Sequence, residues 1–313
     1  MNEQSRIYLA GHTGLVGSAV YRKLLQMGYS NVITRTHREL DLIQQSEVER
    51  FFKEENPEYV VLAASKVGGI HANSTYPAQF IFENLSIQNN VIHASYLSRV
   101  KKLLFPGSAC SYPKECPQPI KEKCLLTGPL EPTNEPYAVA KIAGIKLCQA
   151  YNRQYGTNFI CAIPTNAYGP NDNFDPEDSH VIPGLLKRFH DAKTAGAAEV
   201  MLWGTGSPLR EFIYADDLAN AMLFLLKNYQ GSDVINIGTD SEISIRELAS
   251  IIKEIVGFRG RIHFDTSKPD GAPRKILDKT NLFDLGWRPE FSLLEGLEMT
   301  YQWFLKHQLD VRK

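Results

Sequence analysis

The sequence predicts an α/β fold built on a doubly wound parallel sheet, with a second, smaller α/β domain toward the C-terminus. Three observations predict it. A strand, a glycine turn and a helical segment open the chain, short apolar strands then alternate with helical segments, and the length is 313 residues. Strands that are apolar throughout are typical of a parallel sheet covered by helices on both faces. A chain of this length ordinarily forms about two domains.

Composition excludes several other classes of protein. Hydrophobic residues make up 43% of the chain and charged residues 22%, an ordinary globular mixture that excludes a disordered chain. The 34 basic and 35 acidic side chains give a formal net charge of −1, so nothing favours a nucleic-acid partner. The five cysteines contain no CxxC pair, so neither a disulfide framework nor a metal site is predicted.

The N-terminal residues carry no targeting signal that we can recognise. Residues 1–6 are polar and lead directly into a strand, and no run of about 20 apolar residues occurs. We therefore expect no membrane partner and a cytoplasmic location.

The first strand is predicted at Ile7–Ala10, and a glycine turn and a helical segment follow it. The turn has a GxxGxxG spacing, which lets backbone approach a pyrophosphate while the free N–H groups of the helix face the anion. It therefore predicts a dinucleotide site. The contacting residues would be Gly11, Thr13, Gly14, Leu15, Val16 and Gly17. A tight turn without a ligand is the alternative.

The second strand is predicted at 31–35. In sites that prefer NAD, an acidic residue usually ends this strand and accepts a hydrogen bond from the ribose 2′-hydroxyl. This chain instead has Arg35 and Arg38 in the region. The exchange favours a 2′-phosphate, and therefore NADP(H) as cofactor. Two solvated loop charges are the alternative.

The alternation of elements continues along the chain. Helices are predicted over 46–55 and 78–98, and strands over 59–64, 102–105 and 159–163. Repeated βα units place a ligand across the carboxyl ends of the strands. Polar residues that directly follow a strand are therefore candidates for the site.

A catalytic group of this kind follows the strand that ends at Phe105. Ser108 lies just beyond this strand, and Tyr137 and Lys141 lie four residues apart on one face of a helical segment. A lysine beside a phenol lowers the pKa of the tyrosine, which can then give a proton to a carbonyl oxygen as hydride arrives. A serine hydroxyl can hold that oxygen. An amphipathic helix face is the alternative for the tyrosine–lysine pair.

The C-terminal part is predicted to contain three further helices. Residues 182–192 and 293–307 have helical periodicity. Ser244 followed by Glu247 is a capping-box signal for a helix that reaches residue 256. The segment 211–240 is expected to return to the main sheet.

With these residues in place, the chain resembles the extended short-chain dehydrogenase/reductase family over essentially its whole length. Within that family it is most similar to the enzymes that epimerise and reduce GDP-4-keto-6-deoxy-mannose with NADPH. The matching segments are 64–70, 130–137, 168–174, 179–183 and 268–271.

This resemblance implies a domain organisation and partners. An NADP-binding Rossmann domain would span residues 1–165, joined again by 211–240, and a substrate-binding domain would span 166–313. A GDP-sugar would be the substrate. Two copies would pair as a homodimer through the helices at 78–98 and 138–151.

The resemblance also implies an acid/base pair, Cys110 and His180. A ketone at C4 of the sugar acidifies the hydrogens on C3 and C5, so a base can remove one and an acid can return it on the other face. A cysteine near cationic groups gains thiolate character, and histidine titrates near neutrality. A buried cysteine and a surface or capping histidine are the alternatives.

Further contacts follow from the same resemblance. Those to the nucleotide-sugar would be made by Arg188, Trp203, Arg210 and Asp270. Those to the cofactor would be made by Lys141, Pro164, Asn166, Ala167 and His180. Arginine suits phosphate because it donates two parallel hydrogen bonds. Salt bridges and core packing are the alternatives.

Departures from the family pattern leave a second activity open. Thr13 stands where arginine is common, and Pro106 and Ala109 stand where an apolar residue and a serine or threonine are usual. They leave room for a C4 reductase of a related GDP-4-keto-6-deoxy-heptose with reduced or absent epimerase activity. A nucleotide-sensing scaffold without turnover would be expected to have lost Tyr137 or Lys141.

Overall fold

A computed structural model describes residues 1–175, 178–268 and 270–308, so Pro269 of the matching segment 268–271 lies outside the described residues. Its strands are β1 (Ile7–Ala10), β2 (Val32–Ile33), β3 (Tyr59–Leu62), β4 (Lys102–Pro106), β5 (Phe159–Pro164), β6 (Asn166–Tyr168), β7 (Glu199–Trp203), β8 (Leu209–Tyr214), β9 (Ile235–Ile237), β10 (Glu242–Ser244), β11 (Arg261–Asp265) and β12 (Arg274–Lys275). Its helices are α1 (Leu15–Gln26), α2 (Gln45–Glu55), α3 (Ile70–Thr75), α4 (Pro77–Leu97), α5 (Glu135–Tyr155), α6 (Val181–Thr194), α7 (Ala215–Asn228), α8 (Ile245–Val256), α9 (Thr280–Asp284) and α10 (Leu293–His307). In the described ranges, no helix is long and apolar enough to cross a membrane.

The larger sheet has six strands in the order β2-β1-β3-β4-β5-β9, and every pair in it is parallel. Its central strands are buried along almost their whole length, which explains their continuous apolar sequence. The strand order reverses between β1 and β3, and ligands of doubly wound sheets bind at such a point. The predicted fold class is confirmed.

Helices cover both faces of this sheet. On one face α4 packs against α5, and the core there includes Phe52, Val91 and Phe105. On the other face α1 packs against α7, and Leu24 and Leu218 lie in that core. The helices hold the sheet rigid, so the loops at the carboxyl ends of its strands have a fixed frame.

A smaller lobe is built around β8. This strand pairs antiparallel with β10 and parallel with β12 and β6, while β7 and β11 form a separate parallel pair. Helices α6, α8 and α10 pack on it through an apolar cluster that includes Phe189, Ile252 and Leu297. Of the segment 211–240, α7 and β9 join the larger sheet and its helices, whereas β8 belongs to the smaller lobe.

The buried carboxylate of Glu211 ties the smaller lobe to the larger sheet. Glu211 lies on β8 with no exposed surface, and it accepts the backbone N–H groups of Thr239 and Leu277. Its backbone oxygen accepts from Thr165 Oγ1 at 3.1 Å and from Asn166 Nδ2 at 3.0 Å. Burial raises the pKa of Glu211 to about 7. These bonds anchor β8 beside the carboxyl ends of β5 and β9.

The predicted helices and strands are present, but some of them begin or end at residues other than those predicted. The capping box of Ser244 and Glu247 and the helix at 293–307 are confirmed. Helix α1 begins at Leu15, inside the glycine spacing, because the turn leads directly into it. Strand β2 has only two residues instead of the predicted 31–35.

Candidate active site

The glycine turn after β1 is packed too closely for a side chain at Gly11 or Gly17. Gly11 has a φ of +85°, and a Cβ there would lie 2.6 Å from the backbone nitrogen of Ala64. A Cβ on Gly17 would collide with the backbone oxygen of Gly11. No side chain caps α1 at Gly14, so the first N–H groups of the helix are available to an anion. This turn fits the pyrophosphate of a dinucleotide.

Replacing Gly17 with alanine is expected to weaken NADPH binding. The new methyl group must displace the turn, and overpacking of this kind costs about 1–3 kcal/mol, which corresponds to roughly tenfold or more in affinity. Fluorescence titration with NADPH measures the change. Gly14→Ala is the matched control, because its Cβ would meet Gly11 at an ordinary 3.7 Å. Equal affinities for Gly17→Ala and the wild type would contradict the close-packed turn.

The two arginines predicted to hold a 2′-phosphate differ in their surroundings. Arg35 donates to the carboxylate of Glu55 and to the backbone oxygen of Thr34, and its guanidinium lies 5.4 Å from the ring centre of Phe51. Arg38 is exposed and forms no ion pair with any described residue. A 2′-phosphate that binds Arg35 would therefore compete with the carboxylate of Glu55. At Arg38 it would meet no such competitor among the described residues.

The phenol of Tyr137 lies between two serine hydroxyls. The hydroxyls of Ser108, beyond the end of β4, and of Ser65, beyond the end of β3, lie near it and lower its pKa. Ser65 Oγ donates to Asn84 Oδ1 at 2.6 Å, and the buried Asn84 amide also bonds to both backbone groups of Lys66. Sequence reasoning missed Ser65, although its place just after a parallel strand was a usable signal.

Lys141 is directed differently from the sequence expectation. Its ammonium donates to the backbone oxygen of Pro106 at 3.1 Å and lies 5.8 Å from the ring centre of Tyr137. Burial lowers the pKa of Lys141 to about 8. Burial and the neighbouring Cys110 raise the pKa of Tyr137, against a smaller lowering by Ser108 and Ser65. The phenol is therefore protonated at neutral pH, as an ordinary tyrosine is, and the protonated phenol is the form that donates a proton.

Cys110 lies beside this phenol. It is in the short 3-10 turn Ala109–Ser111, where its N–H donates to Ser108 Oγ at 3.2 Å. Its sulfur accepts a hydrogen bond from Asn134 Nδ2 at 3.2 Å. The fold therefore brings Ser108, Cys110 and Tyr137 together at the carboxyl end of β4.

His180 comes to the same edge of the sheet from the smaller lobe. It stands at the N-terminus of α6 and is exposed to solvent. Two residues earlier, the backbone oxygen of Asp178 accepts the N–H of Gly69 at 3.1 Å. Although the residue is exposed, the surrounding protein partly desolvates it, which lowers the pKa of His180 and favours the neutral imidazole. In the described part of the chain no hydrogen bond joins His180 to Cys110.

The loop before His180 contains a buried carboxyl group. Asp172 is almost fully buried, and its Oδ1 accepts the N–H of Asn173 at 2.8 Å. Its Oδ2 has no hydrogen-bond partner among the described residues. Burial raises the pKa of Asp172 to about 7. Because the native state then holds a proton that the unfolded state releases, stability falls as pH rises between about 4 and 7.

Replacing Asp172 with asparagine is expected to remove this pH dependence. At about pH 8 the variant should be more stable than the wild type, by an amount on the order of 4 kcal/mol at most, and by less at about pH 5. Urea unfolding at both pH values measures the difference. Asp284→Asn, at an exposed carboxylate, is the control. A variant of lower stability at both pH values would contradict the expectation.

The residues expected at the nucleotide-sugar assemble around the turn after β7. Trp203 ends this strand with 71% of its surface exposed, and the ammonium of Lys268 lies 5.8 Å from its ring centre. Arg188, on α6, donates to the backbone oxygen of Met201 at 3.1 Å. An exposed indole beside two cations offers a stacking surface and a positive charge to one ligand.

Asp270 and Arg210 complete this group. Asp270 accepts the N–H of Thr205 at 2.9 Å and its hydroxyl at 2.7 Å, which holds the turn after Trp203. Arg210, on β8, donates to the backbone oxygen of Ala272 at 2.7 Å. The four predicted residues therefore lie around one turn, and hydrogen bonds to neighbouring backbone connect them. In the described residues the guanidinium groups of Arg188 and Arg210 form no ion pair.

The turn after β5 lies at the same sheet edge. Pro164 ends β5, and Asn166 and Ala167 begin β6, which pairs with β8. The amide of Asn166 is occupied by the backbone oxygen of Glu211. A bound cofactor would therefore contact the backbone of this turn and not the side-chain amide of Asn166.

Comparison with known proteins gives consistent results. A model of the NAD dependent epimerase/dehydratase family matches residues 7–238. GDP-L-fucose synthase 1 of Arabidopsis thaliana is 60% identical over 306 residues, which cover 98% of this chain and 95% of that protein.

Two solved structures are also similar. One is a GDP-L-fucose synthetase from Naegleria fowleri bound to NADP, with a TM-score of 0.93 and 30% identity over 100% of this chain and 98% of that chain. The other is a GDP-6-OMe-4-keto-L-xylo-heptose reductase from C. jejuni, with a TM-score of 0.93 and 40% identity over 98% of this chain and 99% of that chain.

Proposed function

The chain belongs to the NAD dependent epimerase/dehydratase family, and from this membership we propose that it is an NADP-dependent oxidoreductase with epimerase activity. It converts GDP-4-keto-6-deoxy-D-mannose to GDP-L-fucose by 3,5-epimerisation and 4-keto reduction. The observation that carries the proposal is the grouping of Tyr137, Ser108 and Cys110 at one sheet edge. Two relatives named GDP-L-fucose synthase, from Arabidopsis thaliana and Escherichia coli, are 60% and 53% identical over nearly the whole chain.

Reduction depends on the phenol and its two hydroxyl neighbours. When bound, NADPH supplies the hydride that reduces the C4 carbonyl. The protonated phenol of Tyr137 gives its proton to the carbonyl oxygen, and Ser108 holds that oxygen by a hydrogen bond. The hydrogen bond from Ser65 to Asn84 holds the Ser65 hydroxyl in place near the phenol.

Epimerisation depends on groups on two sides of the sugar. The C4 ketone acidifies the hydrogens on C3 and C5, and Cys110 and His180 exchange them with inversion. Cys110 approaches from the end of β4 and His180 from the N-terminus of α6 in the other lobe. Among the described residues no hydrogen bond joins the two groups, and in this proposal the sugar ring lies between them.

Binding roles follow from the same arrangement. The glycine turn holds the cofactor pyrophosphate, with contacts from Thr13, Leu15 and Val16, and Arg38 with Arg35 receives the 2′-phosphate. Lys141, His180 and the backbone of residues 164–167 border the nicotinamide half. Arg188 and Arg210 hold the substrate diphosphate, and Trp203 and Asp270 hold its nucleoside.

The deciding experiment is incubation with GDP-4-keto-6-deoxy-D-mannose and NADPH. We expect NADPH to be consumed and one GDP-6-deoxyhexose to form, and NMR coupling constants of its ring protons to identify L-fucose. Consumption of NADPH with unchanged configuration at C3 and C5 would remove the epimerase part. No consumption of NADPH with this substrate would overturn the proposal.

A C4 reductase of a related GDP-4-keto-6-deoxy-heptose is the second candidate. It is favoured by the similarity to the C. jejuni heptose reductase and by Pro106 and Ala109, which flank the catalytic groups. Parallel assays with the hexose and heptose substrates separate the two candidates through their kcat/KM values.

We also propose the domain division given above, a cytoplasmic location and a homodimer. Helices α4 and α5 pack together and present exposed apolar side chains, including Phe82, Leu97 and Tyr155. Such a surface is typical of an interface between subunits. Phe82→Arg should therefore lower the mass measured by sedimentation from dimer to monomer, whereas Leu285→Arg, remote from these helices in the chain, should not. A monomeric wild type would contradict the dimer.

A further inference from the structure

Asn134 occupies a helix-capping position without capping the helix. It is the N-cap residue of α5, and asparagine there normally accepts an N–H of the first turn through its side-chain oxygen. Pro136 removes one of these donors, but the N–H of Tyr137 remains. Even so, the Asn134 side chain makes no capping hydrogen bond. The side chain is therefore held by something other than the helix.

The amide is instead directed at the sulfur of Cys110. Asn134 Nδ2 donates to Cys110 Sγ at 3.2 Å. Its Oδ1 is buried and has no hydrogen-bond partner among the described residues. A buried acceptor without a partner destabilises the fold, so this orientation is not explained by stability. The contact with sulfur is the one polar contact that the described residues offer to this amide.

We propose that Asn134 is a positioning residue for Cys110. Its N–H group stabilises the sulfur anion that forms when Cys110 gives up or takes a proton, and it fixes the direction of the sulfur toward the sugar. The N-terminus of the 21-residue helix α5 adds the positive end of its dipole at the same place. This role rests on the proposed epimerase function, and nothing in the reduction step requires it.

The Asn134→Asp variant separates this role from a structural one. Aspartate is as good an N-cap residue as asparagine, so the helix start is retained. It lacks the N–H donor, however, and places a negative charge beside the sulfur. We expect the alkylation rate of Cys110 by iodoacetamide at neutral pH to fall at least about tenfold, because the thiolate is the reactive form. Peptide mass spectrometry of the full-length protein measures it, with the partly exposed Cys116 and Cys124 as internal references.

The same variant is assayed for exchange of sugar hydrogens with deuterated solvent. We expect kcat for exchange to fall by a similar factor, while KM for the GDP-sugar and the affinity for NADPH stay near their wild-type values. Thr133→Ala is the matched control, because Thr133 lies in the same 3-10 turn and bonds to Glu131 rather than to Cys110. If Asn134→Asp fails to fold, Asn134→Ser retains the capping chemistry and is measured in the same way.

Two outcomes overturn the proposal. One is wild-type alkylation of Cys110 and wild-type exchange in the folded Asn134 variant. The other is an equal loss in Thr133→Ala, which would assign the effect to the turn. If the wild type exchanges no sugar hydrogens, the proposed epimerase function fails, while the alkylation rates still decide whether Asn134 acts on Cys110.

Discussion

Replacing Tyr137 with phenylalanine should lower the rate of NADPH oxidation by about 10²–10⁴-fold, the usual contribution of a positioned general acid. The variant loses the phenol oxygen that gives a proton to O4, whereas Ser108 and Ser65 retain their places beyond the ends of β4 and β3. Exchange of the hydrogens on C3 and C5 with deuterated solvent should continue, because the acid/base pair is intact. Absorbance of NADPH and NMR of the recovered sugar measure the two processes in one sample.

A matched control is available on the same helix. Tyr151, also on α5, bonds to His93 Nδ1 at 2.7 Å and lies away from the serine hydroxyls. Tyr151→Phe should leave both processes unchanged. Unchanged reduction in Tyr137→Phe would remove the phenol from the reaction and with it the proposed reductase.

Replacing Cys110 with serine should have the opposite effect on the two processes. A serine hydroxyl is a far weaker acid than a thiol, so exchange at the sugar carbons should fall by at least about 10²-fold, the lower end for loss of a general acid/base. Binding of NADPH should persist, because Cys110 is not part of the glycine turn. The deuterium content of the sugar after incubation without NADPH measures the loss.

Cys116→Ser is the control for this change, since Cys116 lies in the loop that follows and is also partly exposed. Exchange at the wild-type rate in Cys110→Ser would exclude this thiol from the acid/base pair. If Tyr137→Phe retains exchange and Cys110→Ser abolishes it, the two half-reactions are assigned to separate groups of one site.

Much of the fold could be predicted because local patterns determine it. Continuous apolar strands such as 59–62 required cover on both faces, and the glycine spacing required a close turn. The capping box at Ser244 and the helical periodicity at 293–307 are local signals, and the structure has both. The ends of β2 were less predictable, because strand length there depends on pairing with β1 alone.

The candidate site was predictable only in part. Ser108, Tyr137 and Lys141 have recognisable spacing, and the structure brings them to one place. Their electrostatics were not predictable, because desolvation depends on atoms from the whole fold. The lysine was expected to lower the pKa of Tyr137, but its ammonium is held by the backbone oxygen of Pro106, and burial raises that pKa instead.

By itself, the sequence determined the class of fold and the glycine turn, since each depends on residues that are near neighbours in the chain, and its resemblance to a family supplied the candidate reactive groups. Only the tertiary structure placed Ser65 against Tyr137, Asn134 against Cys110 and Asp270 beside the turn after Trp203. These contacts join residues that are 24 to 72 positions apart in the chain, in segments that meet only when each lobe has folded. No local periodicity carries information about such contacts, because they are consequences of packing.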